Sequence, residues 1–121
     1  FQLAKLERWL RGYLQSGCQR LEFHHGDCIG ADNEATQIAR ALRFQVVCHP
    51  PRNTSKQAFN VREGDIVLPA KDYLDRNHDI VDACNVLIAT PKSLEEELRS
   101  GTWATIRYAR KTRIPTIILE P

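Results

Sequence analysis

The chain has 121 residues, long enough for one domain with a real hydrophobic core. Apolar residues make up 42% and charged residues 26%, an ordinary globular composition. A formal net charge of +2 is too small to argue for nucleic acid, and no apolar run is long enough to span a bilayer.

The predicted elements follow in chain order. FQLAKLERWLRGYL, residues 1–14, places Leu3, Leu6, Trp9, Leu10 and Tyr13 at helical intervals, and Gly17 lies where a helix would stop. RLEFHH (20–25) reads as a short strand and GDCIGAD (26–32) as a glycine-bearing turn. NEATQIARAL (33–42) is a second amphipathic helix with Asp32 as its expected N-cap. FQVVCHP (44–50) is a strand stopped by Pro50 and Pro51. Residues 52–69 are polar and irregular. A third helix is expected over 71–84, the strand NVLIAT over 85–90, and a charged loop after it. WATIRYARK (103–111) is a fourth helix and PTIILEP (115–121) carries the last strand.

Strands and helices alternate, and the strands are continuously apolar, which suits a parallel sheet covered on both faces. The expectation is a Rossmann-like α/β three-layer sandwich forming a single domain. Such sheets bind ligands outside the carboxyl ends of their strands. Those ends are His25–Gly26, His49–Pro50, Thr90–Pro91 and Glu120–Pro121.

Three stretches at that edge carry the candidate residues. In HHGDCIGAD, Gly26 and Gly30 permit tight backbone geometry, and Asp27, Ala31 and Asp32 lead into a helix whose free N–H groups suit an anion. In SGTWAT (100–105), Ser100, Gly101 and Thr102 open another helix and offer amides and two hydroxyls to a phosphate. The plain alternative for both is ordinary helix capping. In DYLDRNHDIVDAC (72–84), Tyr73, Leu74, Ile80, Val81 and Cys84 should share one buried stripe, yet Arg76 and Asn77 interrupt it. Arginine supplies a planar fork of donors for phosphate or carboxylate, and Asn77 a partner for a ribose hydroxyl or a loop. Thr90 and Pro91 complete the expected site at the third strand end.

Other residues have simpler readings. His24 and His25 point to opposite faces of a strand, which argues against a metal pair, so no metal and no cofactor are expected. His78 and Asp79 should lie on the wet side of their helix, and Glu95, Glu96 and Glu97 form a solvated face. Arg107, Arg110, Lys111 and Arg113 complement the end of the last helix dipole. Trp103 is a core residue, or a platform for a base if the partner were single-stranded nucleic acid. Trp9 and Tyr13 serve either the core or a homo-oligomer interface. Cys18, Cys28, Cys48 and Cys84 contain no C-x-x-C pair and read as reduced thiols, which with the lack of a targeting segment favours the cytoplasm. The chain begins at Phe1 and has no methionine, so residues upstream are expected.

HHGDCIGAD, LPAKDYLDRNHDIVDACNVLIATP and SGTWATIRYARK followed by PTIIL together resemble the SLOG superfamily. That group joins the Lonely Guy phosphoribohydrolases, the DNA-processing protein A family and small stand-alone Rossmannoid proteins, and the likeness is greatest to the last. The resemblance covers about Phe1 to Pro121 and implies a pocket for a nucleotide or nucleotide-derived small molecule. In the phosphoribohydrolases P-G-G-x-G-T-x-x-E binds phosphate and supplies a catalytic glutamate. Gly101 and Thr102 match its G-T, Arg99 and Ser100 replace the residues before, and Thr105 stands at the glutamate. Asp75, Arg76 and Asn77 resemble the stretch holding that family's catalytic arginine. The arginine is kept and the carboxylate is not, so the resemblance implies ligand binding or sensing first, N-glycosidic hydrolysis through Arg76 with Asp27 or Asp32 second, and single-strand binding third. It also implies a central strand and a small glycine turn ahead of Phe1.

Overall fold

The computed structural model describes residues 2–17 and 21–121. Phe1, Cys18 and the first residue of the strand expected at 20–25 lie outside the described residues. Nine elements follow: α1 (Gln2–Gln15), β1 (Glu22–His25), α2 (Ala31–Ala41), β2 (Gln45–Cys48), β3 (Ile66–Val67), α3 (Tyr73–Ala83), β4 (Leu87–Ala89), α4 (Gly101–Lys111) and β5 (Thr116–Ile118). The chain is mixed α/β, with every strand pairing parallel.

The strands form two separate sheets, β1-β2-β3 and β4-β5. In the first, Glu22 to His25 lie opposite Gln45 to Cys48, and Val47 and Cys48 oppose Ile66 and Val67. In the second, Leu87 to Ala89 lie opposite Thr116 to Ile118. The strand β3 falls inside a stretch expected to be irregular. It has two residues, both exposed at the sheet edge, so it offers no apolar alternation to read.

Helices cover the strands in pairs, α1 against α2 and α3 against α4. The larger core packs Leu6 and Leu10 of α1 with Ala39, Phe44 and Leu119, and draws in Phe23, Ile88 and Ile117. Residues from both sheets therefore meet on α1. A second cluster seats Trp103 and Ile106 of α4 on Ala89, with Leu87 and Ile118 beside it. The indole N–H of Trp103 donates to Ser93 O at 3.2 Å, so this ring is core and not a platform for bases.

The apolar stripe expected on α3 is broken. Val81 is buried, Tyr73, Ile80 and Cys84 are half-buried, and Leu74 is 58% exposed. His78 stacks on Tyr108 with centroids 3.8 Å apart, and Asp79 pairs with Lys71, so neither is simply solvated. Helix α4 starts two residues earlier than expected because Ser100, not Thr102, caps it.

Ile106 is fully buried, so Ile106→Ala should cost roughly 2–5 kcal/mol in urea denaturation. Leu74→Ala should stay within roughly 0.5 kcal/mol, because its side chain packs little.

Candidate functional site

The carboxyl ends of β1 and β2 are joined by one side chain. Arg76, on α3, is 4% exposed. Its Nη1 donates a short bond to Gly26 O and a 3.2 Å bond to His49 O, and its Nε donates to Asn77 Oδ1 at 2.8 Å. Its Nη2 lies 3.7 Å from Cys28 Sγ, and its Cζ sits 5.3 Å from the Tyr73 ring centroid. All of these partners are neutral. Among the described residues no carboxylate lies within ion-pair distance of this guanidinium. Gly26 is required here, since a Cβ would fall 2.5 Å from Arg76 Nη1 and 2.7 Å from Cζ.

The turn after β1 supplies its own acids. Asp32 is not the N-cap of α2; Gly30, at φ 90°, holds that place without a side-chain cap. The Asp32 carboxylate reaches back instead, and Oδ2 accepts from Gly26 N at 2.9 Å and Cys28 N at 3.5 Å. Those two amides are occupied from within. Asp27, at φ 54° and 1% exposed, accepts from Asn60 N and Gln57 Nε2, both at 3.0 Å, and its carbonyl accepts from Ala58 N. It anchors the loop after β2 to this turn. Its own amide donates to His25 Nδ1 at 3.0 Å, leaving His25 Nε2 buried without a partner. Burial, the largest influence, lowers the His25 pKa.

At the other sheet, Ser100 Oγ accepts from Trp103 N at 3.3 Å as the α4 cap. Gly101 and Thr102 are exposed, and a Cβ on Gly101 would meet nothing. Thr105 donates back to Gly101 O at 2.9 Å and brings no charge. Pro91 O accepts from Gln2 Nε2 at 3.2 Å.

The structure thus gathers Gly26, Asp27, Asp32, Arg76 and Asn77 into one polar cluster. Asp32 also lines, with Ala31 and Thr90, a cavity of about 720 Å³ that runs between the sheets. Ser100, Gly101 and Thr102 line neither that cavity nor a smaller one of about 180 Å³, which His49, Lys71, Arg76 and Asp79 enclose with Leu68 and Pro69. The expected cradle shared by both glycine turns and the arginine is not assembled within one cavity.

A histidine relay that sequence reading did not find runs from Glu22 and His24, which line the larger cavity, to His49 at the smaller one. Glu22 Oε1 accepts from His24 Nε2 at 3.0 Å, so His24 Nδ1 is free to accept from His49 Nε2 at 2.8 Å. His24 and His49 are 25 residues apart, so only the parallel pairing of β1 with β2 unites them. Burial first, then the neighbouring His24, lower the His49 pKa to about 4. Burial pushes Cys48 up to about 12 and Cys84 up to about 11, and burial with Asp32 raises Cys28, so these free thiols stay protonated at neutral pH. Among the described residues no group of three or more His, Cys, Asp or Glu is placed to hold a metal ion. Comparison with known proteins finds no matching family model, no matching curated protein and no matching solved structure.

Two outcomes are expected. His49 is neutral when folded, and the unfolded chain takes up its proton near pH 6.5, so stability is full above that pH and falls as pH drops towards about 4. His49→Gln should flatten that fall in denaturant melts taken across the range. Gly26→Ala should expel the guanidinium and destabilise the fold, and the cost should shrink in an Arg76→Gln background when the cycle is measured by urea unfolding.

Proposed function

We propose that this chain is a Rossmann-like domain of the SLOG type, a three-layer sandwich that binds a nucleotide-derived anion at the carboxyl edge of its strands. The observation that carries the reading is the buried Arg76 guanidinium, met only by neutral oxygens and sulfur. A cation taken out of water and left without a counter-charge favours an anion placed nearby. The small cavity supplies that place, because Arg76 and Lys71 both line it, against the single carboxylate of Asp79. Its size suits a phosphate, with the nucleoside portion reaching over the open strand edge. Pairing of Lys71 with Asp79 holds the ammonium in position while leaving it half exposed.

Hydrolysis of an N-glycosidic bond is the second reading, and the Glu22–His24–His49 relay favours it. A neutral His49 beside the cavity can accept a proton and pass one on towards His24 and the Glu22 carboxylate, but its pKa of about 4 makes it a weak base for water. It ranks second because Thr105 leaves no carboxylate for a developing oxocarbenium ion. Among the described residues no helix is long and apolar enough to cross a membrane.

Calorimetric titration with a panel of nucleoside monophosphates and ADP-ribose is expected to give saturable heat with at least one ligand. Lys71→Glu, at an exposed position, should leave the fold intact and weaken that ligand at least about tenfold, the order of a lost charge-assisted contact. No heat from any ligand, or unchanged affinity in Lys71→Glu, contradicts the reading.

A further inference from the structure

Phe59, in the loop between β2 and β3, combines three features that packing does not explain. Its φ is 54°, in the left-handed region that a bulky residue rarely enters. Its side chain is 66% exposed. It belongs to neither core cluster. A glycine or an asparagine would take that φ with less strain and would leave no ring in water.

Asp27 holds this conformation from both sides. Its carbonyl accepts from Ala58 N at 2.8 Å and its Oδ1 from Asn60 N at 3.0 Å, so the residues before and after Phe59 are bound to one buried aspartate. Gln57 Nε2 donates to Oδ2 at 3.0 Å, and Ile29 N donates to Lys56 O at 3.0 Å. An isolated antiparallel bridge between Cys28 and Gln57 completes the clamp. Ile29 is itself 61% exposed, so the clamped loops keep two large apolar side chains in water. Strain held by this many bonds is typical of ligand sites. The clamp lies one residue from the Arg76 site. Gly26 O accepts from Arg76 Nη1, and the next carbonyl, that of Asp27, accepts from Ala58 N. Arg76 Nη2 lies 3.7 Å from Sγ of Cys28, the residue bridged to Gln57. One short turn therefore carries both the guanidinium and the Phe59 loop.

We propose that Phe59 stacks on the base of the nucleotide whose phosphate the Arg76 site takes, so that the ligand is a purine nucleotide read by ring area and not by its base edge. Stacking here rests on the anion reading, since the phosphate is what brings the base within reach of the ring. An aromatic face accepts any base, and the contact grows with ring area, which favours purines over pyrimidines. The donors beside Phe59 are already committed. The amides of Ala58 and Asn60 and the side-chain N–H of Gln57 bond Asp27, and Asn60 Nδ2 bonds Asn33 O at 3.4 Å. They are unable to choose between adenine and guanine.

Calorimetric titration of the 121-residue chain with adenosine, guanosine and uridine monophosphates, and with ribose 5-phosphate, tests the stacking. The two purine nucleotides should bind alike and about tenfold more tightly than ribose 5-phosphate, the order of one base stacked on an aromatic ring, with the uridine nucleotide between. Phe59→Ala, at an exposed position, should abolish the purine advantage and leave ribose 5-phosphate binding as it was, while Phe59→Trp keeps the advantage. Ribose 5-phosphate or uridine monophosphate bound as tightly as the purines, or purine affinity unchanged in Phe59→Ala, overturns the stacking. In that case the anion reading stands if Lys71→Glu still weakens the ligand. A preference of about tenfold or more for one purine shows that the base edge is read, and overturns the proposal in that form. If none of the four binds, the anion reading and the stacking fall together.

Discussion

A single guanidinium holds the carboxyl edge of this molecule together. Arg76 leaves α3 and reaches beneath the ends of β1 and β2, where Gly26 and His49 present carbonyls that the parallel ladder does not use. Each bond from a charged donor to such an oxygen contributes about 1.5–3 kcal/mol, set against the cost of drying the cation. Asn77 takes the third direction of the fork, and the Tyr73 ring lies against its face. The absence of a Cβ at Gly26 is what lets the fork come so near. An arginine in the middle of a buried helical face is therefore a brace between the ends of two strands.

Around that brace the polar groups are arranged in two ways. In the turn after β1, Asp27 and Asp32 satisfy amides of the turn and of the loop reaching Asn60, which leaves those groups already filled. Separately, Glu22, His24 and His49 form a chain that ends at the small cavity with Lys71. The first arrangement supports structure. The second ends at an open volume walled by Arg76 and the Lys71–Asp79 pair, beside the neutral His49 imidazole. The larger cavity between the sheets is less suited to an anion, because Glu22, Asp32 and Glu34 stand in its otherwise largely apolar lining.

Much of the fold was legible because its signals are local. Leu6 and Leu10 recur at helical spacing and are buried, and Gly17 does turn the chain at φ 84° after α1. Strands β2, β4 and β5 stand out as short apolar runs, whereas β1 holds one apolar residue, Phe23, and the two-residue β3 does not stand out. What could not be read is relational. Nothing near Asp32 tells whether its carboxylate will cap its own helix or reach back to Gly26. Leu74 obeys the helical period, yet it is exposed, because periodicity assumes that a neighbour covers every turn. The division into two sheets is invisible in strands that each look complete. Of the expected site, Arg76, Asn77, Gly26, Asp27 and Asp32 do come together, by contacts between residues as far as 50 positions apart. His49 was marked only as a strand end, and its partner His24 only as the neighbour of His25 on the opposite face of a strand, since their register depends on pairing between strands.

The central claim is that Arg76 is a buried, uncompensated cation next to an anion site. Nitrogen-15 NMR of its guanidinium, with and without a nucleoside monophosphate, tests this most directly. The account predicts a resolved, slowly exchanging Nε–H in the free protein that shifts in a saturable manner with ligand. A guanidinium that exchanges as fast as those of exposed arginines, or one that no nucleotide perturbs, would contradict it.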